Sequence, residues 1–185
     1  MSRVVFRVLS SGFYEEEILG ILCKHLINRF LGAQCFYEFL DYPPGKYYDS
    51  SRKQFRADLV LRWFASHRSS SEEILVGLVN SDGYVPGLNF VFGLADPSER
   101  IATVYLRRLY TSSNHVDNIF VERLLKEATH EIGHVLGLEH CSNPRCVMSF
   151  SNSILDVDYK TNLFCKRCVE KLSKRGLVVN QRELI

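Results

Sequence analysis

The 185-residue chain contains no run approaching the roughly 18 consecutive apolar residues that a helix needs to cross a bilayer. It also lacks a strong charge bias: the formal net charge is +2, and the basic residues are scattered rather than massed in one stripe. A partner selected by bulk charge, nucleic acid above all, is therefore not indicated. The first ten residues, MSRVVFRVLS, hold only a short apolar run broken by Arg7, with no small-residue cleavage pattern after it, so no secretory leader is read there. Internal repeats and a Pro- or Gly-rich domain linker are likewise missing. These absences lead to the expectation of a soluble, cytoplasmic monomer without membrane or nucleic-acid partners.

The composition is 46% hydrophobic and 24% charged, which places the chain among globular proteins rather than disordered or fibrous ones. A chain this long buries about 70% of the surface exposed when unfolded, enough for one domain with a small appended lobe. Residues 3–9 and 34–40 read as strands. Between them residues 13–31 carry Ile18, Leu19, Leu22, Leu26, Ile27, Phe30 and Leu31 at helical spacing, with Gly32 as a stop. A shorter helix is predicted over 55–66 with Leu59, Val60, Trp63 and Phe64 inward. Strands are predicted over 74–79, 88–94 and 101–106. No helical pattern separates these last three, so the fold class is α/β (α+β) with a mixed, twisted sheet. A long helix follows, with Asn114, Asp117 or Asn118 as N-cap, reaching Gly137. A last helix lies near 165–175, where Lys166, Arg167, Lys171, Lys174 and Arg175 form a solvated face.

The chemistry concentrates in HEIGHVLGLEHCSNPRCVM, residues 130–148. Residues four apart on an α-helix differ by about 40° in direction and about 6 Å along the axis, so His130 and His134 can point at one ion. Counting about 100° per residue, Val121, Leu124, Leu125, Ala128, Ile132, Val135 and Leu136 gather on the opposite side. The histidines share their own side with Arg123, Lys126 and Glu127, which predicts a face toward a cleft or solvent. Glu131, between the two histidines, suits the general base that takes a proton from a metal-activated water. Gly137 can end the helix in a left-handed conformation and turn the chain back, bringing His140 in as a third nitrogen ligand. Three neutral imidazoles with an open position suit Zn²⁺.

His130, Glu131, His134, Gly137 and His140 at this spacing resemble the metzincin zinc-protease signature, and Cys141, Cys146, Met148, Cys165 and Cys168 make it similar to the archaemetzincin branch in particular. The resemblance implies a zincin fold with an N-terminal subdomain over 1–137, a C-terminal subdomain over 138–185, and peptide or protein substrates. It implies a narrow-specificity or aminopeptidase-like enzyme rather than a broad endopeptidase. It also implies that Met148 forms an apolar floor under the catalytic metal, and that residues 88–94 line the cleft as a substrate-pairing edge. Some metzincins place a tyrosine ligand two residues beyond that methionine; Phe150 stands there, so no such ligand is expected.

Cys141 and Cys146, with four residues between them, and Cys165 and Cys168, with two between them, give two chelating pairs suited to a closed Cys₄ zinc site, with two disulfides or free thiols as alternatives. Two zinc ions per chain are thus expected, one catalytic and one structural. Cys23 and Cys35 are expected to be separate buried thiols. His25, His67 and His115 are read as structural or surface residues. Besides the zinc metallopeptidase, a zinc-stabilised peptide-binding protein with little or no proteolytic activity remains open, as does a nucleic-acid-binding zinc module, which would lack a basic face.

Overall fold

The computed structural model describes residues 4–112 and 115–180; Arg3 of the first predicted strand and the candidate cap Asn114 lie outside the described residues. Five strands form one mixed sheet: β1 (Val5–Ser11), β2 (Gln34–Leu40), β5 (Glu73–Val79), β7 (Gly93–Asp96) and β8 (Ile101–Tyr105), in the order β2-β1-β5-β8-β7. The pairs β1/β2, β1/β5 and β5/β8 are parallel, and β7 runs antiparallel to β8 at the edge. Three short strands, β3 (Tyr48–Asp49), β4 (Gln54–Arg56) and β6 (Gly83–Tyr84), make a second small sheet.

Alternate residues of each strand face opposite sides, and both sides of the central strands are covered. Phe6, Val8, Ile74, Val76, Leu78, Ala102 and Val104 pack with α1 (Glu16–Arg29) and α3 (Asn118–Val135). Leu9, Leu75, Val79, Ile101 and Tyr105 pack with α2 (Ala57–Ala65). Central strands buried on both faces read as continuous apolar runs, which is why 74–79 was legible. β1 extends past its apolar run because Ser11 Oγ donates to the Asp41 carbonyl at 2.8 Å and Ser10 Oγ to that of Phe13, so both buried hydroxyls are satisfied.

Several expectations need correction. On α2 the buried face is Ala57, Val60, Leu61 and Phe64, while Leu59 and Trp63 are only half-buried, because the helix starts at Ala57 and turns its 57/60/61/64 stripe to the sheet. The strand expected over 88–94 exists only as Gly93–Asp96. The preceding residues form a loop whose Leu88 and Asn89 carbonyls bond to the Arg52 side chain rather than to a strand. Cys23 and Cys35 are not separate thiols: they form a disulfide joining α1 to β2 across a Cα–Cα distance of 5.3 Å, within bonding reach once the turn at Gly32 folds the strand back along the helix. A helix unforeseen in the sequence, α4 (Ile154–Tyr159), starts at a capping box in which Ser153 and Asp156 satisfy each other's backbone N–H groups.

The largest correction concerns the polar side of α3. Asp117 caps the helix, accepting from Phe120 N at 2.8 Å. Arg123 and Lys126 face neither solvent nor an open cleft, while Glu127 lines the cleft beside the histidines; all three are buried beneath the chain that follows the helix. Arg123 makes a two-pronged pair with Asp158, both contacts 2.7 Å, and Lys126 Nζ donates to the carbonyls of Val157 and Asp158. Glu127 pairs with the buried Lys160 at 2.8 Å. Charged groups at depth persist only when paired, so this layer fastens α4 and its flanks to α3. The last helix, α5 (Lys166–Ser173), exposes its basic face as expected, and no described helix is long and apolar enough to cross a membrane.

The Arg123 guanidinium holds the Asp158 carboxyl below its ordinary 3.8, through its hydrogen bonds first and its charge second. A carboxylate depressed in the folded state stabilises above its unfolded pKa and loses that contribution as pH falls through the folded value. Asp158→Asn should therefore lower stability by about 1 kcal/mol at neutral pH, discounted for the exposure of Asp158. Urea unfolding at pH 7 and pH 3 should show the deficit shrinking at the lower pH; an equal deficit at both would contradict the pairing.

Candidate metal centres

One wall of a cavity of about 480 Å³ is formed by α3, through His130, Glu131 and His134, joined by His140 from beyond the helix. β7 and the loop before it form the facing wall, and Phe150 to Asn152 close one side. α3 ends at Val135, Gly137 takes φ +83°, and Leu138 N returns to the Gly133 carbonyl at 2.9 Å. This reversal carries His140 back beside the helix, its ring 4.8 Å from that of His134 and 5.4 Å from that of His130. One ligand atom from each histidine lies within 4.8 Å of the others.

Backbone carbonyls fix the orientation of two of these rings. His130 Nδ1 bonds to the Val147 carbonyl at 2.7 Å and His134 Nδ1 to the Leu138 carbonyl at 2.8 Å. A carbonyl only accepts, so each Nδ1 carries the proton and each Nε2 carries a lone pair. Burial holds His130 well below 6.5, and also lowers His134 and His140, so the rings are neutral. The Nε2 atoms of His130 and His134 nevertheless sit 3.1 Å apart. Two bare lone pairs form no hydrogen bond with each other, whereas two nitrogens on one tetrahedral zinc lie about 3.3 Å apart. The donor set and its spacing fit a zinc ion.

Glu131 is 6% exposed and projects into the same cavity. Burial pushes its carboxyl up to about 8, the nearby Glu127 carboxylate adds to the rise, and the Lys160 ammonium opposes it. Gly93 of β7 leaves the space that Glu131 occupies: a β-carbon there would lie 2.5 Å from the Glu131 side chain.

Cys141, Cys146, Cys165 and Cys168 are free, buried and gathered at a second point, their sulfurs all within 4.8 Å. The Cys141–Cys165 and Cys146–Cys168 separations are 3.7 and 3.8 Å. These are far too long for disulfides and match the roughly 3.8 Å between thiolates on one tetrahedral zinc. Cys165 N and Arg167 Nη2 donate to the sulfurs of Cys146 and Cys141, both at 3.3 Å, a setting that favours thiolates. Residues 141–148 connect the two clusters. Cys141 N bonds to the Met148 carbonyl at 2.8 Å, and the residue after Cys146 supplies the carbonyl that orients His130. Met148 is fully buried with its sulfur against Gly133, where any β-carbon would collide with it.

His25, by contrast, pairs with Thr129 and His67 with the Trp63 carbonyl, away from both clusters. Sequence reasoning placed Glu127 on the histidines' side of α3 but missed Lys160 and the close approach of Gly93. A lone glycine in a strand pattern signals such an approach. Nothing local marks Lys160, whose Nζ lies 3.5 Å from His130 Nδ1 and 3.4 Å from the Ser149 carbonyl.

Comparison with known proteins adds an independent line. Residues 46–174 match Peptidase family M54. An archaemetzincin of Aeropyrum pernix is 50% identical over 133 residues, covering 70% of this chain and 71% of its own. One of Pyrococcus abyssi is 48% identical over 167 residues, covering 88% and 86%. The crystal structure of an archaemetzincin from Methanopyrus kandleri superposes with a TM-score of 0.80 at 33% identity, covering 94% of this chain and 96% of that one.

The contact between Gly133 and Met148 is open to a direct test. Gly133→Ala gains up to about 1 kcal/mol in helix propensity, yet overpacking against the methionine should leave it destabilised by about 1–3 kcal/mol. In a double-mutant cycle read by urea unfolding, Met148→Ala should relieve that loss. Additive losses would mean that the two residues do not press on each other.

Proposed function

This chain belongs to peptidase family M54, the archaemetzincins, and is a zinc metallopeptidase; on that premise we propose that His130, His134 and His140 hold the catalytic zinc and that Glu131 is the general base. The observation that carries the assignment is the 3.1 Å approach of two unprotonated Nε2 atoms, which a shared cation relieves. When bound, zinc supplies a Lewis acid that polarises the scissile carbonyl and makes water easier to deprotonate.

With a cation held by the flanking histidines, Glu131 would be kept in its carboxylate form despite its burial. It takes a proton from the attacking water and later passes it to the leaving amine. Enclosure by α3 and β7 keeps other solvent from competing for that proton. The free side of β7 is suited to pair with an extended substrate backbone, since no described strand lies beyond it in the sheet. A cavity of about 480 Å³ accommodates few side chains, which supports narrow specificity, aminopeptidase-like cleavage included.

The four cysteines are read as the ligands of a second, structural zinc with no position left for substrate. Residues 138–180 then form a lobe stapled by that ion, with Met148 as the floor under the histidines. The staple reaches the histidine cluster by two routes, the peptide bond between His140 and Cys141 and the Val147 carbonyl beside Cys146.

Two measurements test this. Glu131→Ala should keep its zinc and lose at least about 100-fold in kcat on a fluorogenic peptide library; a variant that cleaves as fast as the parent would refute the base. Replacing Cys165 and Cys168 with serine should weaken zinc binding at the histidines by about tenfold or more, as losing a group that orients a ligand does. Unchanged affinity there would show the two sites to be independent.

A further inference from the structure

The wall that faces α3 across the cavity belongs to no regular element until Gly93. Val85 to Phe92 form a loop with Gly87 at φ +90°, tied at one end by the bridge of Gly83 with Val91. A loop with this little backbone pairing would ordinarily be the least fixed part of a cleft. Here its carbonyls are captured by side chains from the small second sheet and the turn between β3 and β4. Arg52 Nη2 donates to the carbonyls of Leu88 at 3.1 Å and Asn89 at 2.9 Å, and Gln54 Nε2 donates to the Asn89 carbonyl at 2.9 Å.

Arg52 is itself tightly placed. The Asp49 carboxylate accepts from the backbone N–H groups of Ser51 and Arg52, the Arg52 Nε bonds to Gln54 Oε1 at 2.9 Å, and the guanidinium lies 4.2 Å above the Tyr84 ring. At the other end of the loop Arg108 is clamped on both oxygens of Asp82 and stacks 3.9 Å from the Phe90 ring, which meets Phe92 edge-on at 5.1 Å. Asp82 also accepts from Gln54, so the two braces share one carboxylate.

What the braces hold in place is apolar. Leu88, 54% exposed, and Phe90, Phe92 and Leu94 line the cavity from this wall, and Phe150, 57% exposed, lines it against the His140 ring at 4.9 Å. Exposed large apolar groups gathered about one cavity mark a binding surface. Among the described residues the charged side chains lining that cavity are Glu131 and the Lys160-paired Glu127, with no lysine or arginine to receive an acidic group.

We propose that Arg52 is a positioning residue for the substrate cleft, fixing the 85–92 wall so that Leu88 and Phe150 select peptides with a large apolar residue adjoining the scissile bond. This rests on the peptidase reading above and deepens it. Arg52 touches no substrate. It acts through the two carbonyls that set where Leu88 stands.

The test compares the zinc-loaded parent, Arg52→Met and Arg52→Lys on peptides that differ in a single residue next to the scissile bond, leucine against alanine. Losing one well-placed apolar contact is worth about 10-fold or more in discrimination. Arg52→Met should accordingly raise KM for the leucine peptide about tenfold, leave kcat within about twofold, and change the alanine peptide by less than about twofold. Arg52→Lys, able to reach one carbonyl but not both, should fall between. Leu88→Ala should erase the preference for leucine directly. A uniform loss on both peptides, a fall in kcat at unchanged KM, or unaltered kinetics would overturn the assignment. Equilibrium binding of the same peptides to the Glu131→Ala background separates the two readings. If the parent cleaves nothing, the peptidase reading fails, and the positioning role stands or falls on whether Arg52→Met still weakens binding of the leucine peptide selectively.

Discussion

Both Nδ1–H groups of His130 and His134 are committed to backbone carbonyls, so their Nε2 atoms confront each other with lone pairs alone at 3.1 Å. Without a cation that approach is repulsive, and much of the surrounding architecture can be understood as what maintains it. The helical spacing of four residues brings the two rings to one side of α3. The Val147 and Leu138 carbonyls stop them from rotating away. Met148, pressed into the gap left by Gly133, stops the helix from moving away from the loop that carries Val147.

Beneath this lies a layer of buried charge that no helical wheel would place there. Arg123, Lys126 and Glu127 bind the carbonyls and charges of Val157, Asp158 and Lys160, so the polar face of α3 is an interface between the helix and the chain that follows it. The cysteine cluster closes the far end of that same chain. Two sulfur pairs near 3.8 Å tie the start of residues 141–168 to their end, and the layer of buried charge holds 157–160 between them. The carbonyl that orients His130 sits on this doubly anchored stretch. The opposite wall follows a related logic, with Arg52 and Gln54 supplying from side chains the hydrogen bonds that a sheet partner would supply.

How much was legible beforehand follows from the range of the interactions. Residues 130–140 act through one helix and one turn, so their spacing alone forecast three imidazoles converging. The Cys₄ gathering was also legible, because chelating pairs carry their own spacing rule. The strand at 74–79 was readable from composition, since burial on two faces demands it, and the exposed edge strand at 34–40 from its aromatic residues. Lys160 was not, because its place depends on thirty residues of intervening chain folding back onto α3. The Cys23–Cys35 disulfide escaped for the same reason: an isolated cysteine in a helix and another in a strand look like small apolar residues until their elements are packed. The 88–94 strand failed because β propensity cannot reveal that an arginine thirty-six residues away takes the Leu88 carbonyl.

The central claim is that this chain holds two metal ions in two separate clusters joined by one short stretch of backbone. Elemental analysis of the purified protein and of His130→Ala addresses it most directly. The account predicts two zinc ions per chain in the parent and one in the variant, with the cysteine-bound ion retained. A parent with a single zinc, or a variant that still holds two, would contradict it.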